Sequence, residues 1–162
     1  MRIAVLSDTH DNIWKLEAAI PWLRTAEIVL HCGDLCAPFI VNRLGQGIKP
    51  LQAHLVFGNN DGDARALMLA AQKMGNVEIH GQHAELEIGG LKVALNHYPE
   101  IARPLVRSGQ YDLVCYGHDH IAHQDIVNGA LLLNPGEVMG LNGRSTLAIV
   151  ETATKEVEWV EL

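Results

Sequence analysis

Residues 3–10 read Ile-Ala-Val-Leu-Ser-Asp-Thr-His. Four apolar residues in a row, two of them β-branched, form a short strand buried on both faces. The run stops abruptly at two polar side chains that can bind metals, Asp8 and His10. The pattern recurs outward from there. Asn12 is placed to cap a helix whose Ile13, Leu16, Ile20 and Leu23 fall at helical spacing. Residues 28–30 are a second strand. A helix follows over about residues 38–44, ending near Gly45. Residues 54–57 are a third strand, Asp63 starts another helix, and Gly75 is placed to end it. This β-α-β-α-β-α order requires parallel strands joined by crossover helices.

The second half changes character. Residues 84–88 and 91–95 flank Gly89-Gly90, a two-residue hairpin turn. Pro99 suits the first turn of a helix running to about Val106. Residues 111–116 form a strand, and residues 124–127 and 130–133 flank the hairpin signal Asn128-Gly129. Strands over about residues 146–151 and 156–160 enclose a polar turn. The expected fold is α/β, with two packed sheets and helices outside.

Composition narrows the function. The chain has 162 residues, 12 basic and 19 acidic side chains, and a formal charge of −7. One domain over residues 1–162 is expected, burying roughly 70% of its unfolded surface without disulfide support. No cluster of Lys and Arg is present to hold a phosphate backbone, so nucleic acid is not an expected partner. No apolar run approaches the roughly 20 residues that span a bilayer. With no secretory signal at the start, Cys32, Cys36 and Cys115 read as reduced thiols in a cytoplasmic protein.

The strand ends carry most of the information. Five apolar runs lead into polar groups: Asp8 and His10; Gly33-Asp34; Gly58-Asn59; His97; and Gly117-His118-Asp119-His120. In open α/β sheets ligands gather at the carboxyl ends of strands. Asp8 and His10 are two apart, as are His118 and His120, so in extended backbone each pair faces one centre. The glycines before Asp34, Asn59 and His118 permit tight turns. Singly, each piece has a plainer reading: a helix start, a turn, a hydrogen-bonded core histidine. All five in this order make coincidence a poor account.

Together these residues resemble the calcineurin-like metallophosphoesterase superfamily, whose motifs run Asp-x-His, Gly-Asp, Gly-Asn-His-Asp/Glu, a lone His, then Gly-His-x-His. The short chain and its opening Ser-Asp-Thr-His are similar to the small bacterial and archaeal branch of stand-alone phosphodiesterases. The resemblance implies a four-layer α/β-β/α sandwich, two mixed sheets flanked by helices. It also implies two divalent ions. Asp8, His10, Asp34 and His120 would hold one, and Asp34, Asn59, His97 and His118 the other, with Asp34 bridging. Mn is the expected metal, with Fe, Zn, Ni and Co as alternatives. The implied activity is phosphodiester hydrolysis of a small substrate by a metal-bridging hydroxide, and the implied assembly a monomer or a homo-oligomer. Two ions, two carboxylates and a hydroxide sum to about +1, which a singly charged diester neutralises. The alternatives are a phosphomonoesterase or nucleotide phosphatase, and a protein-interaction scaffold on the same fold, as in a related retromer subunit.

The departures from the family pattern carry chemistry of their own. Asn60 stands where the superfamily has His. It can donate a hydrogen bond to phosphate, and is the expected substrate contact, but it cannot act as a general acid near neutral pH. Asp11 stands where many relatives have Gly. His97-Tyr98-Pro99 replaces His-Gly-His. Asp119 either orients a histidine or is a solvated loop carboxylate. His31, His54, His80, His83 and His123 match no ligand position, though His31 and His123 are near enough in sequence to substitute as an acid. Arg103 and Arg107 read as a solvated helix face, and Asn134-Pro135-Gly136 as a structural turn.

Overall fold

The computed structural model describes residues 1–162. Eleven strands and four helices follow in the order β1 Arg2–Leu6, α1 Ile13–Leu23, β2 Ile28–His31, α2 Pro38–Ile48, β3 Gln52–Leu55, α3 Ala64–Met74, β4 Val77–Ile79, β5 His83–Ile88, β6 Leu91–Asn96, α4 Pro99–Arg107, β7 Leu113–Cys115, β8 His123–Val127, β9 Ala130–Asn134, β10 Thr146–Glu151 and β11 Val157–Glu161. They make a six-stranded sheet, β11-β10-β1-β2-β3-β4, and a five-stranded sheet, β5-β6-β7-β9-β8. β1 to β4 run parallel, as do β6, β7 and β9; antiparallel pairings add β10 and β11 at one side of the first sheet and β5 and β8 at the two edges of the second, and β4 is the first sheet's other edge.

The period-2 alternation of strand side chains divides the apolar residues into three cores. In β1, Ala4 and Leu6 face α1, α2 and α3, while Ile3 and Val5 face the second sheet. In β9, Leu131 and Leu133 complete the inner core, and Ala130 and Leu132 pack outward against α4. Three cores separate four layers, α/β-β/α, as the resemblance implied. No helix is long and apolar enough to cross a membrane.

Local signals worked where a side chain or turn decides the backbone. Asn12 accepts from the Lys15 N–H, Asp63 caps α3 through the Ala66 N–H, and Gly75 ends it in the left-handed region. They failed at three places. α2 does not end near Gly45 but continues to Ile48. A β-carbon on Gly45 would press on Met74 and Val77, so this glycine serves close packing between α2 and α3. β3 begins and ends two residues earlier than expected, because Val56 and Phe57 already bond outside the ladder, to the His31 and Gly81 carbonyls. β4 has only three residues, too few to show a period.

Candidate metal centre

The parallel strands all point one way, so their outgoing loops collect at one edge. Backbone bonds tie these loops together. Asp8 N–H donates to the Gly33 carbonyl (3.0 Å), His10 N–H to that of Asp34 (3.0 Å), and Gly117 N–H to that of His97 (3.0 Å). The structure brings together all seven expected ligands. Asp8 Oδ1 lies 3.2 Å from His120 Nε2 and 3.7 Å from His10 Nε2. Asp34 Oδ2 lies 3.3 Å from His10 Nε2 and 3.5 Å from His97 Nε2. Asn59 Oδ1 lies 3.1 Å from His97 Nε2 and 2.8 Å from His118 Nδ1. One oxygen of Asp34 thus stands between two donor groups.

The pairs do not meet by the route the spacing suggested. Asp8, His10, His118 and His120 are not extended; their φ values are +53°, +41°, +75° and +61°, and Asp34 is at +58°. They sit in the left-handed region, which folds each loop sharply enough to turn both members inward. Asp11, at φ +59°, is left-handed too, which explains why Gly suits that position in relatives. Its carboxylate instead accepts the Ala37 N–H at 2.8 Å. Gly58 and Gly117 have no positive φ; what they supply is room. A β-carbon at Gly58 would collide with Asp34 Oδ1, and one at Gly117 with Ser7 Oγ.

The donor set fits divalent metal ions. Two buried atoms within it, Asp8 Oδ1 and His10 Nε2, have no hydrogen-bond partner. A buried polar atom left unpaired is costly, and a divalent ion held by Asp8 and His10 would give both atoms a partner. The outer nitrogens are fixed. His97 Nδ1 donates to the Cys32 carbonyl (2.7 Å), and His120 Nδ1 to Glu137 Oε2 (2.7 Å). Each bond leaves Nε2 directed at the centre. Burial pushes the Asp34 carboxyl up, but hydrogen bonds from His97 and Asn60 outweigh it and hold it at about 2. The Asp8 carboxylate 3.2 Å from its Nε2, assisted by Glu137 on the other nitrogen, raises His120 to about 9 against its burial. For Asp8 too, burial loses to His10, His120 and Ser7, and its carboxyl falls well below the usual range. Both aspartates are therefore ionised, the form that ligates.

A model of the calcineurin-like phosphoesterase superfamily domain matches residues 1–155. The chain belongs to the calcineurin-like phosphoesterase superfamily. It is 32% identical to a phosphodiesterase of Methanocaldococcus jannaschii, over 100% of this chain and 99% of that one. A solved archaeal phosphodiesterase superposes with a TM-score of 0.92 at 31% identity, covering 100% of both chains. A Vps29 variant from Entamoeba histolytica shares the fold, with a TM-score of 0.69 at 20% identity over 100% of this chain and 99% of its own. By its membership this chain is a hydrolase of phosphoester bonds.

Several residues of this phosphoesterase do work that its motifs alone do not reveal. Asp61 accepts four backbone N–H groups, from Gly58 (2.7 Å), Asp34 (3.0 Å), Leu35 (2.8 Å) and Cys36 (2.8 Å), and so pins the Asp34 loop to the Asn59 loop. Glu137, buried on the loop after β9, orients His120 and has no sequence signal. Tyr98 sets its ring edge-on to His97 (5.0 Å) and His118 (5.1 Å) and wedges both. Asp119 orients no histidine. It accepts Asn134 Nδ2 (2.6 Å) and the Ile121 N–H (3.1 Å), tying its loop to the Asn134-Pro135-Gly136 turn. Asn60 grips Asp34 twice, through its backbone N–H (2.8 Å) and its side-chain amide (2.7 Å). Arg103 and Arg107 are on the exposed face of α4, as expected.

His31 is no substitute acid. It is fully buried, its Nδ1 accepts the Gly33 N–H (3.2 Å), and its Nε2–H donates to Thr9 Oγ1 (2.6 Å). Burial lowers it to about 4, with Asp61 and Asp8 only partly opposing. The unfolded chain therefore takes up this proton first, and stability present above pH 6.5 is lost as pH falls toward 4, by roughly 3 kcal/mol. His97 and His120, both raised, change stability only at higher pH. In urea titrations of metal-free protein between pH 4.5 and 7, His31→Gln is expected to show a visibly shallower slope than wild type. Parallel slopes would refute it.

Proposed function

We propose that this chain hydrolyses phosphodiesters with two divalent ions, one held by Asp8, His10, Asp34 and His120, the other by Asp34, Asn59, His97 and His118. The observation that carries this reading is the position of Asp34 Oδ2, within 3.5 Å of a ring nitrogen in each group. The relative named as a phosphodiesterase and matched end to end supports the diester over the monoester. Mixed imidazole, carboxylate and amide donors suit Mn, our first choice, and also Fe, Zn, Ni and Co.

When bound, such ions supply a nucleophilic water at neutral pH and positive charge for the phosphoryl oxygens. The chain supplies the rest. Asp8 and Asp34 bring two negative charges, which leave the centre suited to a singly charged ester. His97 and His120, locked by Cys32 and Glu137, keep their Nε2 atoms aimed without reorganisation. Asn60 is the proposed phosphate contact, an amide donor beside the shared carboxylate. No histidine stands at position 60 to protonate a leaving group.

The test is Mn-dependent hydrolysis of bis-p-nitrophenyl phosphate, with p-nitrophenyl phosphate beside it and metal-free protein as control. Faster diester cleavage, lost with the metal, is expected. Faster monoester cleavage would replace the reading with a phosphatase. No turnover with Mn, Fe, Zn, Ni or Co would leave the non-catalytic scaffold.

A second expectation follows from Asn60. Across aryl and alkyl diesters, kcat/KM should fall steeply as the leaving group becomes more basic. Asn60→His should flatten that dependence, gaining on the order of 10²-fold on the poorest leaving group, the lower range for general acid catalysis. Equal slopes in the two proteins would mean that another group already supplies the proton.

A further inference from the structure

Away from this centre, the free edge of the six-stranded sheet carries a second cluster of ligating side chains. His54 is on β3, Glu78 on β4, and His80 directly follows β4. Register pairs His54 with Glu78, and Glu78 and His80 are two apart along extended chain, so all three share a face. The opposite face, with Ala53, Leu55, Val77 and Ile79, is buried under the helices. The shared face is reachable from solvent: the His54 and His80 side chains are 20% and 19% exposed, and that of Glu78 66%.

We propose that His54, Glu78 and His80 form a separate site for a late first-row divalent cation, zinc foremost, that ties the edge strand β4 to β3. His54 Nδ1 lies 2.9 Å from His80 Nε2 and 3.6 Å from Glu78 Oε2. One donor atom from each residue lies within 4.8 Å of the other two. Two imidazoles and a carboxylate are a zinc donor set with the fourth position left to water. Tetrahedral zinc holds two ligating nitrogens roughly 3.3 Å apart, so the rings need part by only a few tenths of an ångström. Glu78 pairs with no lysine or arginine, and its exposed side chain is free to swing inward. Burial, and then His80, lower the pKa of His54, which keeps that imidazole neutral with a lone pair to give. Imidazole-rich sites favour Zn, Ni, Co and Cu over oxygen-seeking ions, so this site differs in preference from a Mn-loaded centre.

The test is a zinc titration of metal-stripped full-length protein against a chromophoric chelator, beside His80→Gln and Glu78→Gln. At free zinc of about 10 µM, each variant is expected to bind one equivalent fewer than wild type, the affinity for it falling at least about 100-fold. Equal stoichiometry in the three proteins overturns the proposal, whatever the catalytic centre binds. Should circular dichroism show that His80→Gln has not folded, Glu78→Gln, altered only at an exposed carboxylate, decides alone.

Discussion

Asp34→Asn is expected to lower kcat/KM for bis-p-nitrophenyl phosphate by on the order of 10³-fold, because catalysis of this kind draws most of its rate from electrostatic stabilisation of the reacting group. The substitution keeps the size and shape of the side chain. It removes one of the two negative charges at the centre and puts an amide where an oxygen is shared between His10 and His97. Either orientation of the new amide fails. An NH2 at the Oδ2 position meets the Asn60 amide that now donates to it at 2.7 Å. An NH2 at the Oδ1 position meets the Asn60 backbone N–H, 2.8 Å away in the parent. On the proposed two-ion reading both ions would lose a ligand at once, so the effect should exceed that of a change confined to one group. Thermal melting should fall too, because a buried carboxylate that accepts two bonds from Asn60 has been replaced by an amide that can accept only one; rates are therefore compared well below the melting transition. A variant that hydrolyses the diester at the wild-type rate would end the two-ion reading.

Asp61→Ala should cost about 3–5 kcal/mol of stability. Each of its four N–H partners loses a bond to a charged acceptor, roughly 1.5–3 kcal/mol apiece in isolation. The sum is reduced because the four share one carboxylate and water can reach part of the gap. For a chain of this size that corresponds to a fall in Tm of roughly 10–15 °C. Asp61→Asn retains one acceptor oxygen and should fall between. The consequence for function is indirect. The Asp34 and Asn59 loops are joined through this carboxylate, so the metal-stripped variant should also bind Mn more weakly. Melting within about 3 °C of wild type would show that the four bonds are replaced by solvent.

What the sequence disclosed, and what it hid, follows from the range of the interactions. The strand ends were legible because each apolar run breaks at once into a ligating residue, a contrast contained within a few positions. The α1 and α3 caps were legible for the same reason: Asn12 and Asp63 act on N–H groups three residues away. Glu137 was not legible. It reaches His120 across 17 residues only because β9 lies beside β7, and nothing local marks it. The role of Asp61 was hidden although its position was in view, since its four partners lie on two loops. Gly45 misled because the same residue type ends helices and lets them pack, and only the neighbouring helix distinguishes the two uses. The spacing of Asp8 with His10 led to the right grouping through the wrong backbone, because separation in sequence does not specify φ, while His118 and His120 part company, His120 turning to Asp8 and His118 to Asn59.

That left-handed backbone bears on how this fold ages when its chemistry is no longer needed. Five of the seven expected ligands, Asp8, His10, Asp34, His118 and His120, hold a conformation that side chains with a β-carbon resist, at about 1 kcal/mol or more each. Hydrolysis keeps them there. In a descendant released from it, glycine at His10 or His118 relieves the strain at little cost, whereas at Asp8, Asp34 or His120 it would strand the His118 N–H, the Asn60 donors or Glu137. Inactive lineages should therefore drift toward glycine first at His10 and His118, while Asn59 and His97, under no such tension, decay at random.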